Sequence, residues 1–224
     1  MISISARVMS VPERPCPTLL IAALAPFDPR TMIDCSHRGP AWNSDRCWLD
    51  GAATGASHVL VCQDDAVPCG SFAKLVRAAV EARPEAIISF FMHDHEAAQK
   101  AAGAPWVDQP IKGWGPALCM SSAMAIDYVR WAKENLQDSV RADDLRLLHY
   151  ACNHGLPISC TLPSLVEHSP NVASTVSPRG NNREFLASRL YRGEHINWAL
   201  PAYQAPGDTR AFLISRQHQR ATTC

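Results

Sequence analysis

The chain lacks an excess of either charge. Its 224 residues carry 21 Lys+Arg and 21 Asp+Glu, so bulk electrostatics gives no argument for nucleic-acid binding. It lacks any apolar run near the ~20 residues that a membrane helix needs. It has no basic start followed by a long apolar core, so Met1-Ile2-Ser3-Ile4-Ser5-Ala6-Arg7 is predicted to begin a strand and not a signal peptide. No Cys-x-x-Cys pair occurs among the nine cysteines, and most of them, such as Cys62, Cys119 and Cys160, sit in apolar surroundings. That pattern argues against a disulfide frame or a zinc site and predicts buried, reduced thiols in a soluble, cytoplasmic protein. There is no internal repeat. There is also no Gly-x-Gly-x-x-Gly and no phosphate-loop motif, which argues against dinucleotide enzymes and phosphate-loop NTPases.

What is present is a chain of one-domain length with 47% hydrophobic and 19% charged residues, ample for a sizeable core. The charge is unevenly spread. Residues 1–178 hold 14 basic and 18 acidic side chains, whereas residues 179–224 hold seven arginines and three acids. Residues 1–178 are therefore expected to form the main domain, and 179–224 an Arg-rich extension packed on it or flanking its site.

Hydrophobic periodicity predicts strands at residues 2–9, 59–62, 86–91, 115–121 and 158–160. Helices are predicted at 44–53, with Ser44 as N-cap, and at 71–82, 122–135 and 141–153. Residues 18–25 suit a short helix or a strand, and 96–102 are a candidate short helix. Residues 26–40 read as turns, 93–110 as a polar connection, and 184–192 as a candidate helix. Strands alternating with helices predict an α/β fold: a single domain with a mixed, mostly parallel sheet and helices on both faces.

Four constellations bear on chemistry. In His58-Val59-Leu60-Val61-Cys62-Gln63-Asp64-Asp65-Ala66-Val67-Pro68-Cys69, an apolar strand ends in two adjacent carboxylates. The carboxyl end of a strand is where ligands bind in such sheets. Adjacent acids repel and call for a counter-cation, and hard divalent metals take carboxylate oxygens. A turn that caps the next helix is the competing reading. Asp143-Asp144 opens a predicted helix, where acids favour the macrodipole, but a carboxylate there also suits a general base. His168, at the end of an apolar run, is either structural or a ligand. Trp114-Gly115 offers a flat ring beside a residue that lets a ligand approach the backbone, and core packing explains the tryptophan equally well. His93-Asp94-His95 reads as loop, because alternating side chains cannot face one ion on a strand.

These segments, with Ile4-Ser5-Ala6-Arg7-Val8-Met9 before them and Pro163-Ser164-Leu165-Val166-Glu167-His168 after, resemble a group of small phage and actinobacterial glycosyltransferases of the GT-A type. The resemblance covers roughly residues 2–185, close to a whole domain. It implies a GT-A-like fold, a nucleotide-sugar donor of the UDP-sugar class, and Mn²⁺ or Mg²⁺. By matching position, it implies that Asp65 holds the metal, Asp64 the donor ribose or metal, and His168 the metal or diphosphate. Asp144, with Asp143 beside it, would be the catalytic base. Some enzymes of the group modify hydroxymethylated pyrimidines in phage DNA, which would place this protein in the host cytoplasm. Gln63 departs from the acid that many GT-A enzymes carry at that position.

Arg7, Arg14 and Arg46 are candidates for the donor's nucleotide or phosphates, together with Trp114 and Gly115. Arg179, Arg183, Arg189 and Arg192 are candidates for a DNA backbone, because the planar guanidinium fork suits phosphate. The expectation is metal-assisted, inverting sugar transfer to 5-hydroxymethylcytosine in DNA. The alternatives are transfer to a cell-surface glycan or lipopolysaccharide, and an inactive nucleotide- or sugar-binding module.

Overall fold

The computed structural model describes residues 1–92, 94–109, 115–169, 190–193 and 195–207. The chain runs through β1 (Ile4–Ser10), α1 (Thr18–Leu24), a 3₁₀ turn (Ala25–Phe27), β2 (Arg30–Ile33), α2 (Pro40–Ala52), β3 (His58–Gln63), β4 (Ala66–Pro68) and α3 (Phe72–Ala82). It continues through β5 (Ile87–Ser89), α4 (His95–Lys100), β6 (Trp106–Gln109), β7 (Ala117–Ser121) and α5 (Ser122–Asn135). The remaining elements are α6 (Asp143–Asn153), β8 (Ile158–Thr161), β9 (Val166–His168) and β10 (Tyr203–Gln204).

Eight strands form one sheet in the order β10-β6-β8-β5-β7-β3-β1-β2. Neighbours are parallel except at β3–β7, β5–β7 and β6–β8. This is a single Rossmann-like α/β domain with a mixed, mostly parallel sheet.

The period-two alternation of β3 sorts its side chains into two cores. Val59 and Val61 join Trp48, Tyr128 and Leu147 from α2, α5 and α6 on one face. Leu60 and Cys62 join Leu20, Phe72 and Val76 from α1 and α3 on the other. In α3 the buried set Phe72, Leu75, Val76, Ala79 and Val80 follows helical spacing. Each large apolar side chain in these layers contributes about 1.5–3 kcal/mol. On the first face α2 lies close to the sheet, because a Cβ on Gly51 would come within 2.4 Å of Val59 Cγ1. Buried thiols are scattered through these layers (Cys47, Cys62, Cys69, Cys119, Cys152 and Cys160), while Cys16 and Cys35 are exposed.

Several sequence expectations change. The turn-rich stretch 26–40 contains β2, an edge strand, and the polar connection 93–110 contains β6. Helix α2 starts at Pro40 after Gly39 (φ +99°), a turn earlier than expected. Ser44 is therefore buried inside the helix and is not its cap. The cap of α5 is Ser121, which accepts from Met124 N–H at 3.2 Å, and not Ser122. Residues 18–25 are helical, and Asp94 caps α4. The C-terminal segment adds β10 to the sheet beside β6. Among the described residues, no helix is long and apolar enough to cross a membrane.

Candidate active site

β1, β2 and β3 are parallel, so their carboxyl ends share one edge of the sheet. The turn after β3 is pinned from both sides. Gln63 N–H donates to the Pro116 carbonyl at 2.9 Å, and Asp64 N–H to the Met9 carbonyl at 3.0 Å. The chain then leaves the main sheet, and β4 pairs antiparallel with β9, setting Ala66 opposite His168. This small ribbon carries His168 to the acidic turn. Its Nδ1 lies 3.6 Å from Asp65 Oδ2, and Ser169 N–H donates to the Asp65 carbonyl at 2.7 Å. The ring of Phe91 meets the imidazole edge-on at 5.1 Å.

The two acids of the turn differ. Asp64 accepts from Ser10 Oγ at 2.6 Å and is ion-paired with Arg14. Burial pushes its carboxyl up, and Ser10 and Arg14 only partly offset this. Asp65 Oδ2 faces His168 and, at 3.9 Å, Arg14. Burial pushes Asp65 up as well, but the imidazole and the guanidinium outweigh it and hold the carboxyl below its usual value. Asp65 Oδ1 is buried with no hydrogen-bond partner. The adjacent acids thus do meet a counter-cation, a guanidinium from the loop after β1.

Asp143 and Asp144 form the first turn of α6, where the helix dipole favours them. They are also drawn to the same edge. Gln63 Nε2 points at the Asp143 carboxylate, 3.3 Å from Oδ2. Gly115 fills the space between: a Cβ there would lie 3.1 Å from Gln63 Nε2, 3.3 Å from Asp144 Cβ and 3.4 Å from Asp143 Oδ2. Burial, and then the charge of Asp144, push the Asp143 carboxyl up to about 7 against the Gln63 hydrogen bond. Asp144 is raised by burial, opposed by Leu145 N–H and by the charge of His168. A buried pair with elevated basicity can take up a proton near neutral pH.

The structure brings Asp64, Asp65, His168, Asp143, Asp144, Gly115 and Arg14 to one region. Arg7 does not join them. It is buried in mid-strand under α2 and locked by Asp50, Ser5 Oγ (2.9 Å) and the Ala6 carbonyl (2.7 Å). Arg46 lies on α2 with its guanidinium over Trp42. Trp114, Arg179, Arg183 and Arg189 lie outside the described residues, as does His93. Arg192 is exposed, just after Tyr191 N–H donates to the Ser164 carbonyl at 2.8 Å. Sequence reasoning missed Ser10 and treated Gln63 only as a departure. The usable signal was that two neighbouring parallel strands both end in polar side chains.

Among the described residues, no three His, Cys, Asp or Glu side chains are gathered into a cation cage. The donor chemistry nevertheless suits a hard ion, since Asp65, next to Asp64 and 3.6 Å from His168 Nδ1, has a buried oxygen with no hydrogen-bond partner.

No protein-family model matches the chain, and no curated protein does. Among solved structures, it is similar to a mannose-1-phosphate geranyltransferase from Thermus thermophilus, with 12% identity, a TM-score of 0.35, and 71% of this chain and 74% of that one covered. It is also similar to A197 from STIV, with 7% identity, a TM-score of 0.44, and 79% of this chain and 100% of that one covered. Neither likeness assigns an activity.

Proposed function

We propose that the protein is a glycosyltransferase that moves a sugar from a UDP-sugar to a hydroxyl acceptor, with inversion, and that the acceptor is 5-hydroxymethylcytosine in DNA. The observation that carries this reading is convergence. An acidic turn at a strand's carboxyl end, a histidine about a hundred residues later and a buried carboxylate pair on a helix meet at one sheet edge.

The acceptor oxygen attacks the anomeric carbon, and the bond from that carbon to the diphosphate breaks. The electron pair leaves with the nucleoside diphosphate, and Asp144 takes the acceptor's proton. Asp143, raised by burial and by the charge of Asp144, lies beside it, and Gln63 hydrogen-bonds the Asp143 carboxylate. Arg14 can exchange Asp64 for a donor phosphate, since guanidinium binds either anion in the same bidentate manner. Mn²⁺ or Mg²⁺, when bound by Asp65 and Asp64 with His168 beside them, would neutralise charge on the departing diphosphate.

The test is a panel of nucleotide-sugars offered with hydroxymethylated DNA, read by mass spectrometry of the released nucleosides. A hexose or pentose mass on the modified base supports the reading. Transfer only to a free saccharide moves the acceptor to a surface glycan, and no donor turnover with any acceptor leaves a binding module. Asp65→Ala is expected to keep the fold and lose divalent-dependent turnover. Full activity of that variant, or of wild type in excess chelator, removes the metal from the scheme.

A further inference from the structure

Most described arginines are matched by an aspartate. Arg7, Arg14, Arg30, Arg83, Arg130 and Arg146 each form an ion pair. Arg38, Arg46, Arg77, Arg141 and Arg192 pair with no carboxylate among the described residues; Arg77 lies over Phe27, whereas Arg38, Arg46 and Arg141 gather around the start of α2. Arg38 and Arg46 both hold their guanidinium groups over the indole of Trp42, at 4.6 and 4.5 Å from the ring centroid. Arg141 is beside them because its carbonyl accepts from Ala41 N–H at 3.2 Å in the first turn of α2. In a chain of zero formal net charge, this is local surplus and not background. On its flank, Glu13 lies 3.4 Å from His37 and not against the guanidiniums.

The ring acts as a splint. A guanidinium held over a ring can still present N–H groups, which are the groups that grip phosphate; one of those on Arg46 also donates to the Ile33 carbonyl at 3.5 Å. Stacking also fixes rotamers before any ligand arrives, so less side-chain entropy is lost on binding. Arg38, in the loop before α2, and Arg141, in the connection before α6, are exposed, while Trp42 and Arg46 on α2 are half-buried. Several phosphate donors spread over two loops and a helix suit the repeated phosphates of a polymer. Asp143 and Asp144 follow Arg141 closely in the chain, so the face borders the carboxylate pair.

We infer that Arg38, Trp42, Arg46 and Arg141 form a phosphodiester-binding face that lays a nucleic-acid chain beside Asp143-Asp144. This rests on the glycosyltransferase reading for the purpose of the contact, though not for its existence. It also assigns Arg46 to the acceptor side and not to the donor.

The experiment is fluorescence anisotropy of the full chain with a labelled single-stranded oligodeoxynucleotide over a salt series, with UDP titrated separately. Arg38→Gln/Arg141→Gln is expected to weaken oligonucleotide binding ~10-fold and to flatten the log–log salt slope by about 0.7 for each lost phosphate contact. Trp42→Leu is expected to lower affinity with the slope nearly kept, because the charges remain and only their orientation is lost. Three results overturn the inference: no salt-sensitive oligonucleotide binding by wild type, unchanged binding in the double variant, or a loss confined to UDP. Failure of this face leaves glycosyl transfer to a free acceptor nucleoside intact. Failure of the glycosyltransferase reading leaves salt-sensitive binding intact, so the two are separable.

Discussion

Two polar clusters lie in the sheet, and they are built on opposite terms. Around Asp108, on β6, every contact is complementary. Arg83 and Ser159 both donate to Oδ1 at 2.7 Å, and Gln204 donates to Oδ2 at 2.8 Å. Arg83 also stacks on Trp106 at 4.6 Å. At the carboxyl edge, four aspartates crowd around Arg14, His168 and Gln63, and one buried oxygen is left without a partner. The first cluster ties β10 and β8 to β6 and is complete as it stands. The second keeps excess acid in a desolvated place, which costs stability and is usual where a ligand or proton is to be received.

The sharpest way to break this contrast is to neutralise one acid in each cluster. Asp144→Asn keeps the shape of the site but removes a proton acceptor. Transfer is expected to fall by ~10²–10⁴ while donor binding survives. If Asp143→Asn shows the loss instead, the base is its neighbour. If neither does, the pair serves only to start α6.

Asp108→Ala should do the reverse. It strands the donors of Arg83, Ser159 and Gln204 and is expected to cost about 1–3 kcal/mol in urea denaturation, with turnover per folded molecule unchanged. A neutral result would mean that the Asp108 cluster is not the structural counterpart of the acidic edge.

A pH series sharpens the comparison within the acidic cluster. Asp143 binds its proton more tightly in the folded than in the unfolded chain, whose carboxyl titrates near about 4. Between about pH 4 and 7 the folded state holds the extra proton, so stability falls as pH rises. Asp143→Asn is therefore expected to gain stability over wild type across that window, by on the order of 1 kcal/mol for each pKa unit of elevation. Asp65 is depressed, so its contribution is present above about pH 4 and is lost as pH falls below that value. Asp65→Asn should then be less stable than wild type at neutral pH and converge with it in acid. Parallel curves for the two variants would contradict the assigned environments.

The smallest effect is expected at Gly115. Gly115→Ala has room only if Gln63 and Asp144 give way by a few tenths of an ångström. A loss of turnover of ~3–10-fold with little change in melting temperature would mark positional sensitivity of the pair.

The same contrast explains what could be read from the chain. β3, α3 and α5 were legible because long periodic runs sort themselves by face. β2, β6 and β10 were not: Arg30–Ile33 is a polar edge strand, Trp106–Gln109 hides in a polar connection, and Tyr203–Gln204 is two residues long. The start of α2 was written in Gly39-Pro40, a signal overlooked in favour of Ser44. At the site, the acidic turn, the helix-opening pair and His168 stood out as local clusters of chemistry. Arg14 as the partner of Asp64, Gln63 as the link to Asp143, and the burial of Arg7 against Asp50 depend on contacts between residues far apart in sequence. No window of sequence contains them.

The β4–β9 ribbon carries a consequence for biosynthesis. Ala66 and His168 are paired directly although about a hundred residues separate them, a long loop to close before the contact gains anything. A nascent chain can assemble β1, β2 and β3 while its acidic turn still lacks the histidine. Asp65 then has no imidazole against it until β9 has left the ribosome and docked. The full arrangement of charges therefore exists only in chains whose distant segments have already met.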